Sequence, residues 1–375
     1  MKRLDYYIVV PYFLLLFIGA LMVYSSSSDI SLVYTGWNAA YFRNQLVYIF
    51  IGLIGLIVTF NLKISFLKNK KLLAFLLGLM FFLLVTVLFS EKVNGASRWI
   101  RVGSFNIQPV ELTKLILLWY TAYILSRKQY FIEKNWIQGI WPPFVVLFLA
   151  SLLILLQPDA GSIAIIGLVI TIQVFSSGMP FRIGIMSSGA FIALIAVYTR
   201  AIYLFGDKVP GMSDYRLERF AAFWSPFELA EGAGLQLINS YYALSRGGLT
   251  GVGLGKSVQK TGYLPEPHTD FILSVIGEEL GLLGVVFILS LLFFLITRIY
   301  YVGIKSTDTF SSLICIGVAS LLLIQSAINI GGVVGWLPIS GVTLPFMSYG
   351  GSSMIVLSIC IGMVLNVQKK ERKSS

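Results

Sequence analysis

Long apolar runs separated by short polar punctuation dominate the chain. They fall near residues 6–26, 45–62, 72–90, 111–126, 139–157, 163–178, 182–199, 271–299, 309–330 and 350–367. Each approaches the roughly 20 residues that a helix needs to cross about 30 Å of hydrocarbon. Strands with open edges cannot cross lipid, because every backbone polar group must be satisfied within the protein. The pattern therefore predicts an all-α polytopic membrane protein of about ten transmembrane helices, one integral membrane domain over 1–375.

One interval breaks the rhythm. Residues 200–270, between the seventh and eighth runs, form a single long segment. Connections of that length tend to be functional, and the Tyr, Phe, Trp and Leu spread through this one argue against disorder. Within it, Ser225-Pro226-Phe227-Glu228 has the form of a capping box with proline at the first helical position. The stretch LQLINSYYALSRGG, 235–248, predicts an apolar helix stopped by Gly247 and Gly248. A small helical cap lying on the membrane, or dipping into it, is expected here.

Composition agrees. Of 375 residues, 57% are hydrophobic and 12% charged, with mean hydropathy +0.84. Soluble domains carry about twice that share of charge. Met-Lys-Arg before an apolar run resembles a signal peptide, but the run from Tyr6 to Tyr24 is too long for one and reads as the first span. Cys315 and Cys360 lie inside apolar runs and there is one histidine, so neither a disulfide framework nor a histidine-based zinc site is expected.

The net charge of +11 gains meaning from its placement. With the N-terminus inside and the spans alternating, the cytoplasmic pieces hold Lys2, Arg3, Lys63, Lys68, Lys70, Lys71, Arg127, Lys128, Lys134, Arg182, Arg298, Lys305, Lys369, Lys370, Arg372 and Lys373. The short outer loops hold only Arg43, Lys92, Arg98 and Arg101. Basic residues gather on the cytoplasmic side of membrane proteins. Both termini are therefore predicted to be cytoplasmic and 200–270 extracytoplasmic. The basic excess is a topology signal, and a nucleic-acid partner is not expected.

Candidate chemistry concentrates where the long segment ends. In YLPEPHTDFI, 263–272, Glu266, His268 and Asp270 crowd together between and after Pro265 and Pro267. Asp270 fits an N-cap of the eighth span. It equally fits a carboxylate held at the membrane surface to take a proton from a hydroxyl. Asp270, Ser274 and Glu278 recur every four residues and so share a helical face. Glu278 and Glu279 lie within an apolar run, where charges are either functional or paired. Lys114 is their candidate partner, although Glu111 stands three residues before it. Arg98 and Arg101, around Trp99, suit either lipid headgroups or a phosphate. GVGLGKS, 251–257, lacks the spacing of a nucleotide-binding phosphate loop, since Thr250 stands where a glycine is needed. Its glycines suit a tight turn, with Lys256 available to an anionic headgroup. The Gly-, Pro- and Ser-rich LPISGVTLPFMSYGGSS, 337–353, is expected to wall a groove.

Several of these stretches together resemble the SEDS family (shape, elongation, division and sporulation). They are the run from Ser245 to Gly284, NGASRWI, QPVELTKL, LQPDAG and LPISGVTLPFMSYGGSS, arriving in family order along nearly the whole chain. Within the family the likeness is to the FtsW and SpoVE branch more than to RodA. The resemblance implies a peptidoglycan glycosyltransferase that polymerises lipid II into glycan strands at the outer face of the bacterial cytoplasmic membrane, for septal wall synthesis. It implies a class B penicillin-binding protein as transpeptidase partner, with other division or elongation proteins, and the family's essential outer-loop aspartate matches Asp270.

The implied reaction is an inverting displacement from undecaprenyl pyrophosphate. Arg98, Arg101, Lys114, Arg216, Arg219, Arg246, Lys256, Glu266 and His268 are the candidate substrate-binding residues. Glu111, Glu278, Glu279 and Asp159 are candidate supports. A divalent cation, Mg2+ or Mn2+, on Asp270 is an open variant, and no organic cofactor is expected. The alternatives are a RodA-like elongation polymerase, a lipid II flippase or transporter, and a non-catalytic scaffold. Transporters tend to carry internal repeats, and none is clear here.

Overall fold

The computed structural model describes residues 4–91, 97–102, 105–134, 136–179, 221–230, 232 and 234–374, with isolated positions at 189, 193, 197 and 200. The predicted span at 182–199 therefore falls almost wholly outside the described residues. So do Arg182, Arg216 and Arg219.

Helices make up nearly everything described: α1 Tyr6–Thr35, α2 Ala40–Asn61, α3 Ile64–Leu67, α4 Lys70–Thr86, α5 Pro109–Lys134, α6 Trp136–Leu156, α7 Ala160–Ser176, α8 Leu235–Gly247, α9 Ile272–Lys305, α10 Thr309–Val333 and α11 Gly351–Ser374. Seven of them are long and apolar enough to cross a membrane, and α7 is a shorter apolar helix. Their ends obey local chemistry. Asp5 caps α1 by accepting from the Tyr7 amide at 3.1 Å, and Gly36 closes it in the left-handed region. Asn69, Asp159 and Asp308 cap α4, α7 and α10 in the same way. A carboxylate or amide oxygen there satisfies amides that have no partner within the helix.

A two-stranded antiparallel hairpin, Ile100–Val102 with Phe105–Ile107, precedes α5. No strand was expected in that loop. The capping-box reading of 225–228 is also corrected. A helical stretch ends at Trp224, and residues 226–230 form turns, with the Leu229 amide bonded to the Pro226 carbonyl at 3.3 Å. The predicted helix at 235–248 is present as α8.

α10 and α11 lie at the centre: 78% and 83% of their most apolar stretches are buried, against 22% for α2 and α4, which present broad apolar faces outward. Close approach between helices runs through small residues, as is usual where lipid removes the hydrophobic drive to associate. Gly52 of α2 meets Ser358 of α11, and Gly362 of α11 meets Thr59 of α2. Polar side chains tie the bundle as well: the Gln173 amide on α7 donates to the carbonyls of Leu118 and Leu313, at 3.1 and 3.0 Å.

Both described chain ends lie at one end of the bundle, where Arg372 donates to the Leu4 carbonyl at 3.2 Å. Ion pairs Asp5–Arg298 and Lys68–Asp308, each 2.7 Å, stand there too. The opposite end, the loop end, gathers the hairpin, the α6–α7 turn, α8, and the segments 248–271 and 334–350.

Candidate active site at the loop end of the bundle

The frame of the site is backbone. α8 lies against the start of α9 so closely that a methyl group at Gly247 would overlap the Gly277 carbonyl. The chain then turns through Gly248, Gly251, Gly253 and Gly255, all at positive φ, so GVGLGKS is a turn and not a phosphate loop. α9 itself is broken at Gly281, φ 69° and ψ −174°. The broken stretch pairs with the turn in extended fashion. Val252 and Gly253 donate to the carbonyls of Glu278 and Glu279, at 2.9 and 3.0 Å, and Leu282 and Leu283 donate to those of Gly248 and Leu249, at 2.9 and 3.1 Å. Backbone freed from a helix inside a membrane bundle must find such partners.

Glu278 and Glu279 hold the stretch 257–260. Both are fully enclosed, and neither pairs with Lys114, which corrects that expectation. Glu278 accepts from Arg246 at 2.9 Å, from the Ser257 hydroxyl at 2.5 Å, and from the amides of Val258 and Gln259 at 3.0 and 3.3 Å. Glu279 accepts from Lys260 at 2.7 Å and from the Ser25 hydroxyl of α1 at 2.7 Å. Lys114 is buried against Glu111 at 2.6 Å, the local partner that the sequence also offered.

Asp270 stands just before α9. Its expected role as N-cap is corrected: Phe271 occupies that position and the helix has no side-chain cap bond. The carboxylate instead accepts from Thr269 at 2.9 Å, and the same hydroxyl lies 3.3 Å from Glu266. The backbone is pinned from the other side, where the Asn329 amide donates to the carbonyls of Asp270 and Val342, at 2.8 and 2.7 Å. Asp270, Phe271 and Asn329 line a cleft with Gly332, Ile339 and Val342. Ile339, Ser340, Gly341 and Val342 of the Gly/Ser-rich segment line one side of this cleft, which has room for little more than one water, about 10 Å³. Phe346 of the same segment turns inward against Tyr12 and Gly19 of α1.

The neighbours of Asp270 differ in exposure. Glu266 has its side chain 55% exposed and its φ at 54°. Partial burial, then the charge of Asp270, push its carboxyl above the ordinary range, with the Thr269 hydrogen bond opposing them. His268 is 4% exposed, wedged between the rings of Tyr41 and Tyr349. Burial pulls its pKa down to about 4, so it is neutral at pH 7, and its backbone carbonyl accepts from the Tyr349 amide at 2.8 Å. It reads as an anchor for the segment as much as a substrate ligand.

The remaining candidates scatter. Arg98 donates to the carbonyls of Gln157 and Pro158 in the α6–α7 turn. Arg101 is largely exposed beside Glu91 at 3.6 Å. Asp159 is spent on its cap, bonded to the Ser162 amide and hydroxyl. Arg246 and Lys256 are exposed at the turn that Glu278 organises. Sequence reasoning missed Lys260, Ser25, Asn329 and Thr269. Ser25 opens a run of four serines inside an otherwise apolar span, a signal that polar groups face the interior. Lys260 carries no such signal.

Fold and site define a class: a polytopic all-α membrane protein whose ionisable residues cluster where irregular backbone closes one end of the bundle. Residues 6–373 match the model of the cell cycle protein family of FtsW, RodA and SpoVE, and this chain belongs to that family. It is 40% identical to the probable peptidoglycan glycosyltransferase FtsW of Bacillus subtilis, over 98% of this chain and 91% of the relative. It is 37% identical to the protein of the same description from Escherichia coli O157:H7, over 95% and 83%. Among solved structures it resembles a chain of a peptidoglycan synthase complex that coordinates polymerisation and crosslinking, with TM-score 0.77, 27% identity and full coverage of both chains. RodA of Thermus thermophilus is similar too, with TM-score 0.69 and 26% identity over 98% and 97%.

Proposed function

We propose that this chain is a peptidoglycan glycosyltransferase that polymerises lipid II at the outer face of the bacterial cytoplasmic membrane, serving septal wall synthesis. The reading rests on Asp270, held on a pinned backbone beside a small cleft at the loop end of the bundle, the same end at which Arg246 and Lys256 are exposed. The FtsW relatives favour this over RodA-like elongation.

The chemistry suits one carboxylate. The pyrophosphate of the donor lipid is a good leaving group that needs positive charge rather than a general acid. The acceptor sugar hydroxyl needs a base, and a single displacement inverts the anomeric centre without a covalent intermediate. Two catalytic carboxylates, as in glycosidases, are then unnecessary. Asp270 takes the acceptor proton. Arg246, one of whose nitrogens rests on Glu278, and exposed Lys256 are the best-supported pyrophosphate ligands, with Arg101, Arg216 and Arg219 as further candidates. Lys114 and Arg98, occupied by Glu111 and by backbone carbonyls, fit that role less well.

A divalent cation on Asp270 would draw its other ligands from pyrophosphate and water, as Mg2+ commonly does; when bound it would neutralise developing charge. Among the described residues no cluster of three or more His, Cys, Asp or Glu side chains stands ready for a metal. In the cell we place both termini in the cytoplasm, as the basic residues require. We place a class B penicillin-binding protein alongside as transpeptidase.

Purified chain, supplied with its transpeptidase partner, lipid II and Mg2+, is expected to yield glycan polymer on gels. Movement of labelled lipid II between leaflets, without polymer, would instead establish the flippase.

A further inference from the structure

The segment that presents Asp270 returns from the glycine turn to α9 in two stages, and they are fastened differently. The first, 248–253, is strapped to α9 by the four backbone bonds around Gly281. The second begins at Ser257 and has no such ladder. Side chains hold it: Glu278 collects the Ser257 hydroxyl and two amides, and Glu279 faces the Ser257 amide at 3.4 Å. Lys260 completes it. Its ammonium group, in a side chain only 4% exposed, reaches Glu279 at 2.7 Å and the Ser25 hydroxyl at 3.0 Å. Ser25 in turn donates to both oxygens of Glu279 at 2.7 Å.

Three distant stretches of chain thus close on one point: the first span, the loop ten residues before Asp270, and the start of α9. A buried pair of charges is a poor way to gain stability, because desolvation offsets most of the attraction. Its use is geometric. An ammonium with a carboxylate and a hydroxyl at fixed positions tolerates little displacement, whereas an apolar contact slides. Loss of about 1 Å in placing a reacting group costs on the order of a hundredfold in rate.

We propose that Lys260, through Glu279 and Ser25, is a positioning residue that sets where the Glu266–Asp270 segment stands against the bundle. The proposal rests on the glycosyltransferase reading for its kinetic consequence but not for its structural one. Three measurements separate the two. In polymerisation assays, Lys260→Met is expected to lower kcat by about ten- to a hundredfold, with KM for lipid II within about twofold. The exchanged pair, Lys260→Glu with Glu279→Lys, is expected to recover most of the loss. In the third, spin labels on Thr269→Cys and Thr307→Cys report the distance between the two ends of the bundle, without any need for turnover. A single narrow distribution is expected to broaden in Lys260→Met.

Unchanged kcat together with an unchanged distribution overturns the proposal, as does a rise in KM that accounts for the whole loss. If Lys260→Met does not fold, Ser25→Ala decides. A kcat reduced several-fold at an unmoved thermal midpoint supports the proposal, and an unchanged kcat overturns it. If the unaltered protein makes no polymer, the glycosyltransferase reading fails alone, and the distance measurement still judges Lys260.

Discussion

At the end of the bundle that gathers the chain termini, charges sit on regular helices. Asp308 caps α10 and meets Lys68, with side chains 24% and 36% exposed, and Asp5 caps α1 and meets Arg298. At the loop end Glu278, Glu279 and Lys260 are enclosed, as Asp5 is. Besides Arg246, Ser25 and each other, however, their partners are the amides of Ser257, Val258 and Gln259 and the Ser257 hydroxyl, in a loop rather than at a helix end. The first arrangement finishes helices that would form anyway. The second holds a loop whose only regular element is a short, distorted π-type turn at Gln259–Tyr263. The exposed Lys68–Asp308 pair is therefore expected to be replaceable, whereas the enclosed charges at the loop end are expected to be part of the fold.

That contrast can be broken in graded steps. The largest effect is expected at the break in α9. Gly281→Ala places a methyl group against the Gly251 amide and the Leu249 carbonyl at a positive φ, so a loss of about 3 kcal/mol or more should show as a collapsed thermal midpoint. Glu279→Gln keeps the shape but leaves the Lys260 ammonium enclosed without a counter-charge. A cost of about 3–5 kcal/mol is expected from denaturation of the purified variant. Asp308→Asn, which keeps a capping side chain, should cost below about 1 kcal/mol in the same assay. A loss there as large as that of Glu279→Gln would erase the distinction between the ends.

Acid sharpens the comparison further. His268 ionises near 4 in the folded protein against an ordinary value of 6.5, so the unfolded chain takes up its proton first. Its contribution is complete above about 6.5 and is lost as pH falls toward 4. The thermal midpoint should drop across that window, and His268→Gln should flatten the drop. At the other end, burial raises the Asp308 carboxyl, but hydrogen bonds from Lys68 and Ser311 and the charges of Lys68 and Lys370 outweigh it and hold it below the ordinary range. Its smaller contribution is present above that range and disappears only as pH falls through the lowered value.

The sequence made the spans legible because a bilayer demands length and apolarity, and both are written residue by residue. It made the turn legible because Gly247, Gly248, Gly251 and Gly255 have few other uses in such a run. Pairings were less legible. Glu278 and Glu279 announced themselves as costly, yet Lys114 was the partner expected and Lys260 was overlooked, since contacts between separate segments leave no trace in spacing. The hairpin before α5 was missed because strands of three residues are too short to show alternation. Asp270 was found for its chemistry, while the Asn329 contacts that pin its backbone come from a segment 59 residues away.

The most direct test of the account compares polymer formation from lipid II by the purified protein and by Asp270→Asn, each with its transpeptidase partner and each checked for an unchanged thermal midpoint. Glycan strands are expected from the first, and a loss of at least about a hundredfold from the second. Equal polymer from both would remove Asp270 from the chemistry and contradict this expectation.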